Sequence, residues 1–309
     1  MSLRELKNQF EKRLIKKSDY ISKMYDIHNV LFEYTKFIKD TDVKRIEIND
    51  DSLIITSREN SIKIVCEKND QRIAPFEIMN FNSYEKNDSK IIDQLIKNHF
   101  TIFDIGANFG WYSLNFAKMH KLSKIYAFEP IPKTYKKLVE NITINNLNNI
   151  TSVNFGLYNK NTDLTFYYYE QGSGNASSKN LEYRKNTQKL ICSVITLDDF
   201  IIKNNISSLD FIKCDVEGGE LFVFEGGSNS IDLHRPIIFT EMLRKWSEKH
   251  EYHPNKIIDF FKAKNYRCFI SNKSGLSEIV TINNDTIETN FFFLHDEKHA
   301  SIISSLTNI

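Results

Sequence analysis

The chain has 309 residues, 41% hydrophobic and 26% charged, with a formal net charge of +1. That length suits one large core with an appendage, and the balanced charge offers no basic face for a nucleic-acid duplex. No apolar run approaches the ~20 residues of a membrane span, and Cys66, Cys192, Cys214 and Cys268 form no CxxC pair that would suggest zinc or a disulfide framework.

Residues 3–38 carry apolar side chains at helical spacing, with a possible break at Ser18-Asp19. This stretch reads either as a dimerisation arm or as a helix packed on its own domain. Residues 43–66 alternate apolar and polar positions, interrupted at Asn49–Asp51 and Arg58–Asn60, which predicts a three-stranded meander. Residues 70–88 look irregular, and 89–98 form an amphipathic helix. The expected division is therefore a helical segment at 1–41, a small β layer and linker at 42–88, and a main domain at 89–309.

From residue 100 the pattern becomes strand–helix alternation. Strands are predicted near 100–104, 124–128, 150–154, 209–214 and 236–241. Helices are predicted at 110–119, 132–145, 196–204, 217–225 and 254–264. Such alternation predicts a parallel sheet covered on both faces. An inserted hairpin is expected at 157–169, and further strands at 266–295. The charged N-terminus has no apolar leader, so a cytoplasmic protein is expected.

The first strand of this region ends in Asp104, and Gly106, Asn108 and Gly110 space the turn that follows. A dinucleotide fingerprint reads GxGxxG and seats a pyrophosphate on the helix N-terminus. Here the spacing is GxNxG, and the Asp104 carboxylate would repel phosphates. S-adenosyl-L-methionine has no phosphate and carries a cationic sulfonium, which such a carboxylate could face while turn N–H groups take its carboxylate. Glu129, at the tip of the second strand, can accept both ribose hydroxyls. The bland alternative is a tight strand-to-helix turn with no ligand.

The other strand ends supply further candidates. Gly156 would let an adenine ring approach the backbone. The stretch KCDVEGGE delivers Lys213, Asp215, Glu217 and Glu220, and the fifth strand delivers Glu241. Charged groups at the end of an apolar strand are costly to desolvate unless they bind something. Glu217 also suits a helix N-terminus, Glu220 reads as a helix-surface charge, and His250 and His253 read as solvated loop histidines. The tyrosines 167–169 read as hairpin packing.

Taken together, DIGANFGWYSLNFAK, AFEPIPKTYKKLVENI, TLDDF and DFIKCDVEGGE resemble the FkbM-type S-adenosylmethionine-dependent methyltransferases over roughly residues 84–295. The resemblance implies a class I methyltransferase fold, a Rossmann-like α/β sheet of seven strands with an antiparallel last pair. It implies O-methylation of a sugar or other hydroxylated metabolite, as in capsule or lipopolysaccharide synthesis. It adds Pro130 of the FEP segment to the cofactor set, and Tyr84-Glu85 resembles an aromatic–acid pair that closes over the cofactor.

The expected cofactor residues are thus Glu85, Asp104, Gly106, Asn108, Gly110, Glu129, Pro130, Gly156 and Asp215. Asp215 and Glu241 are the candidate general bases, with Glu217 behind them and Lys213 as an orienting cation. No resident metal is expected, because no further Asp or Asn completes a set with Asp215 and Glu241. A metal-assisted enzyme, a non-catalytic scaffold subunit and a dinucleotide-dependent oxidoreductase are the alternatives.

Overall fold

The computed structural model describes residues 1–181, 183–273 and 275–307. Helix α1 (Leu3–Glu11) opens on a capping box, with Ser2 and Glu5 bonding each other's backbone N–H. Helix α2 spans Lys17–Phe37. The break between them falls around Arg13, which takes a φ of 57°. Ser18 and Asp19 lie instead within the first turn of α2, where an acid meets the positive end of the helix dipole. None of the residues of α2 is buried.

The expected meander forms from β1 (Val43–Ile48), β2 (Leu53–Ser57) and β3 (Lys63–Cys66). It is fastened to the main body by side-chain amides: Asn141 and Asn145 accept from the N–H groups of Val65 and Lys63, each at 2.9 Å. The segment 70–88 is more ordered than its sequence suggests. It holds α3 (Ala74–Phe81) and the start of α4 (Lys86–Leu95). Helix α3 is too short to be stable alone; it persists because Ile78 and Met79 are buried with Val43 and Ile55.

The alternating region runs β4 (Thr101–Ile105), α5 (Trp111–Met119), β5 (Lys124–Phe128), α6 (Pro132–Ile144) and β6 (Ile150–Val153). Next come β7 (Gly156–Leu157), β8 (Thr162–Tyr168), β9 (Gln188–Ile195) and α7 (Leu197–Lys203). The second half runs β10 (Phe211–Cys214), α8 (Glu220–Glu225), α9 (Ser228–His234), β11 (Ile237–Glu241), α10 (Arg244–Lys249) and α11 (Asn255–Lys262). It ends with β12 (Tyr266–Ser271), β13 (Leu276–Glu278), β14 (Asn290–His295) and α12 (Ala300–Thr307).

The main sheet has the order β13-β12-β14-β11-β10-β4-β5-β6. Strands β6, β5, β4, β10 and β11 are parallel, while β14 is antiparallel to both β11 and β12. This is the expected class I arrangement, with the three-residue β13 added at one edge as an eighth strand. Neighbouring residues on each strand enter opposite cores. Phe103, Ile212 and Phe293 join one, and Ile102, Phe211 and Phe292 the other, as a strand covered on both faces requires.

The expected hairpin at 157–169 is a separate three-stranded sheet, β7-β9-β8, in which β8 pairs with the later strand β9 and not with β7. The helix expected at 217–225 starts at Glu220 because Glu217 and Gly218 take φ values of 56° and 95°. Among the described residues, no helix is long and apolar enough to cross a membrane.

Candidate active site

The strand order reverses beside β4: β5 lies on one side of it and β10 on the other. Ligands of open α/β sheets bind outside the carboxyl ends of the strands at such a point. A cavity of about 450 Å³ lies there. It brings together nine of the candidate residues: Glu85, Gly106, Asn108, Glu129, Pro130, Lys213, Asp215, Glu217 and Glu241. Its opposite wall comes from the segment before the main sheet, including Arg72, Pro75 and Tyr84.

Three candidates do not line this cavity. Gly110 is the N-cap of α5, with a φ of 93°. Gly156 packs on Val194 and Pro130 and borders a smaller cleft of about 40 Å³. Asp104 is completely buried. One of its oxygens accepts from Ser113 Oγ at 2.5 Å, and the other faces Lys213 Nζ at 3.5 Å with no hydrogen bond. The carboxylate therefore does not look into the cavity as the sequence suggested; Lys213 stands between.

Lys213 is the electrostatic hinge of the site. Its ammonium donates to the carbonyl of Gly106 at 3.0 Å, lies 3.5 Å from Asp215 as well as from Asp104, and sits 5.5 Å from the centre of the Tyr112 ring. Burial opposes its charge, but Asp215 and Asp104 outweigh that and hold its pKa above the ordinary lysine value.

The glycine turn is committed to its own structure. The N–H groups of Gly106 and Ala107 both donate to the Phe128 carbonyl, and that of Gly110 to the Ala107 carbonyl. The N–H of Asn108 donates to Glu129 Oε2 at 3.0 Å, while that of Ile131 donates to Glu129 Oε1 at 2.9 Å. These turn donors are therefore not free to take a ligand carboxylate. Glu129 is held rigidly at the cavity wall with lone pairs to spare. Burial pushes its carboxyl up to about 7 despite the backbone donors.

The remaining acids form a cluster. Carboxylate oxygens of Asp215, Glu217 and Glu241 lie within 4.8 Å of one another. Burial raises Glu217 and Glu241 well above the usual carboxylate range, and the charge of Asp215 adds to both shifts. Glu217 Oε2 is buried with no hydrogen-bond partner. Glu85 accepts hydrogen bonds from the Tyr112 hydroxyl and from Asn290 Nδ2, and burial raises its pKa too. Such a set can accept protons from hydroxyls, hold a cation, or exclude an anion.

Two sequence readings are corrected here. Glu220 is not a surface charge but is 1% exposed. Its Oε1 accepts from the N–H groups of Val216 and Gly218 at 2.9 and 3.1 Å, fixing the turn that carries Glu217. His250 is not solvated: it is buried, its Nε2 lies 3.2 Å from Ser177 Oγ, and burial lowers its pKa to about 4. His253 is exposed, as expected.

Sequence reasoning missed Tyr112 and Asn290. The side-chain amide of Asn290 bridges Glu85 and Asp88, at 3.0 and 2.9 Å. Tyr112 follows the glycine turn within a quoted motif and could have been singled out. Nothing in the sequence links Asn290 to a residue 205 positions earlier.

A family model described as the methyltransferase FkbM domain matches residues 104–268. Methyltransferase 1 of Beauveria bassiana is 28% identical over 142 residues, covering 40% of this chain and 57% of the relative. Methyltransferase sdnD of Sordaria araneosa is 28% identical over 153 residues, covering 40% and 59%. The crystal structure of an FkbM methyltransferase from Methylobacillus flagellatus is 16% identical, with a TM-score of 0.43 over 65% of this chain and 45% of that one. The chain thus spans less than two thirds of each of these proteins. The family match takes in the glycine turn, Glu129, the KCDVEGGE turn and Glu241, and on that footing this chain belongs to the FkbM methyltransferase domain family.

Proposed function

We propose that the chain transfers a methyl group from S-adenosyl-L-methionine to a hydroxyl of a sugar or glycan-type acceptor. The observation that carries this reading is the presence in one cavity of a rigidly held ribose-type acceptor, Glu129, and a cluster of acids at the adjoining strand ends. The charge balance fits this cofactor better than a dinucleotide. Lys213 is taken up by Asp104 and Asp215, and Arg72 at the rim pairs with Glu77 at 2.7 Å. Neither is left for a pyrophosphate. When bound, the cofactor supplies an electrophilic methyl on a cationic sulfur.

The residues of the chain have three tasks in this reading. Glu129 and the turn from Gly106 to Asn108 hold the nucleoside. Glu85, fixed by Tyr112 and Asn290, closes the wall opposite. Asp215 or Glu241 would take the proton of the acceptor hydroxyl, and the bound cofactor would supply the methyl group, its sulfur keeping the electron pair of the broken carbon–sulfur bond. A positioned base of this kind contributes roughly 10²–10⁴-fold. The carboxylate-rich wall matches a neutral polyhydroxyl acceptor, whose O–H groups find acceptors there, and repels carboxylated or phosphorylated ones.

Purified chain incubated with methyl-labelled cofactor and a panel of neutral and anionic glycosides should label the neutral ones. Asp215→Asn and Glu241→Gln should lower the rate while leaving S-adenosylhomocysteine binding intact. Binding of NAD in place of S-adenosylhomocysteine would overturn the reading.

We also infer that α1 and α2 join two copies of the chain. Support comes from α2, which buries no residue and exposes Ile21, Tyr25, Leu31 and Phe32. Light scattering of the full chain and of a variant lacking residues 1–37 tests this: a monomer in both cases ends it.

A further inference from the structure

We propose that Asp215, Glu217 and Glu241 bind one hard divalent cation, of the magnesium or manganese kind, within the cavity. Asp215 follows β10, Glu217 lies in the turn beyond it, and Glu241 ends β11. Adjacent parallel strands thus deliver all three to one place. Each offers a carboxylate oxygen within 4.8 Å of the others. Oxygens bound to one such ion at about 2.0–2.4 Å are separated by at most roughly 4.8 Å, and the three carboxylates meet that bound. An all-oxygen, all-carboxylate donor set selects a hard cation over zinc or copper.

A second observation, separate from the clustering, points the same way. Glu217 Oε2 is buried and has no hydrogen-bond partner, although Glu217 lines the cavity. A buried acceptor left unsatisfied costs free energy unless something fills it. Two lysine charges bear on Glu217: Lys213 Nζ stands 3.5 Å from Asp215 and equally from Asp104, and Lys245 lies over the Trp246 ring. A divalent ion among the three would give Glu217 Oε2 a partner and favour the ionised form of the cluster. Glu217, read from the sequence as a candidate base, is the third oxygen donor beside Asp215 and Glu241, where the metal-assisted alternative looked for a further Asp or Asn.

The site stands on these contacts alone; its role rests on the methyl-transfer reading. An ion held by three carboxylate oxygens keeps positions open toward the cavity. Two neighbouring hydroxyls of a sugar fill adjacent positions on such an ion, which would make a vicinal diol the preferred acceptor. Each carboxylate retains a second oxygen to receive the hydroxyl proton.

The test is a Mn²⁺ titration of the full chain, without cofactor, read by electron paramagnetic resonance. The expected result is one bound Mn²⁺ per chain, displaced by excess Mg²⁺. Glu217→Gln and Asp215→Asn, each checked for an intact melting transition, should weaken binding about tenfold or more. Glu248→Gln, at an exposed helix position, should not change it. Absence of bound Mn²⁺ at millimolar ion, or equal affinity in both cluster variants, overturns the proposal. S-adenosylhomocysteine titration of the same samples separates the two claims: retained cofactor binding with no Mn²⁺ binding removes the cation site only.

Discussion

Gly106 approaches the backbone of Asp215 so closely that a Cβ added to the glycine would lie 1.9 Å from the Asp215 carbonyl oxygen. The glycine also has a φ of 76°, which L side chains rarely adopt. Gly106→Ala therefore forces β4 and β10 apart at the point where both deliver site residues. The strain should cost about 1–3 kcal/mol, seen as a lowered melting temperature, and S-adenosylhomocysteine binding should be lost.

Lys213→Met keeps the length of the side chain but leaves Asp104 charged and buried without its counter-ion. Breaking a buried pair from one side costs about 3–5 kcal/mol, measurable by urea unfolding. Replacing both residues, as Asp104→Asn with Lys213→Met, should be less harmful than Lys213→Met alone. A double variant at least as unstable as the single one would contradict the pairing.

Glu129 and Glu220 both have carboxyls raised by burial from 4.5 to about 7. The folded chain therefore holds more protons than the unfolded chain between about pH 4.5 and 7. Their contribution makes unfolding easier as pH rises through that window, and Glu220→Gln should flatten the slope. Cofactor affinity should move the other way. Glu129 accepts ribose hydroxyls best when ionised, so S-adenosylhomocysteine should bind more tightly as pH rises through about 7 and then level off. Calorimetric titration across pH 5.5–8.5 checks both the sign and the midpoint.

Asn290→Ala removes the amide that Glu85 and Asp88 share. Two carboxylates then face each other without the donor between them, each left with one hydroxyl partner, Tyr112 for Glu85 and Ser271 for Asp88, a loss of about 1–3 kcal/mol. Because Glu85 lines the cavity, KM for the cofactor should rise more than kcat falls. Asn290→Gln should not restore binding, since the longer side chain displaces the amide from both partners.

Much of this site was legible because it is local. Asp104, Gly106, Glu129 and Asp215 lie at strand-to-helix junctions, where period-2 runs end and glycines permit the turn, so their positions follow from pattern alone. Their partners do not. That Lys213 sits between Asp104 and Asp215, or that the turn N–H groups are spent on Phe128 and Glu129, depends on strand order and register. Glu220 was misread because helical spacing shows which face a residue occupies but not that two upstream N–H groups lie within its reach. Helix α3 was missed for a similar reason: its stability comes from Val43 and Ile55, about thirty residues earlier, rather than from its own sequence.

The bridge from Asn290 to Glu85 joins the last strand of the main sheet to the segment just before its first strand. The cavity wall is therefore assembled from opposite ends of the domain. During synthesis, a nascent chain that has emerged only as far as β11 already possesses the glycine turn, Glu129 and the acid cluster, yet Glu85 has Tyr112 and still lacks the amide of Asn290. Competence for ligand arrives late, when β14 inserts between β11 and β12. Truncation just before residue 290 should thus yield a sheet with its chemistry present and its doorway unlatched.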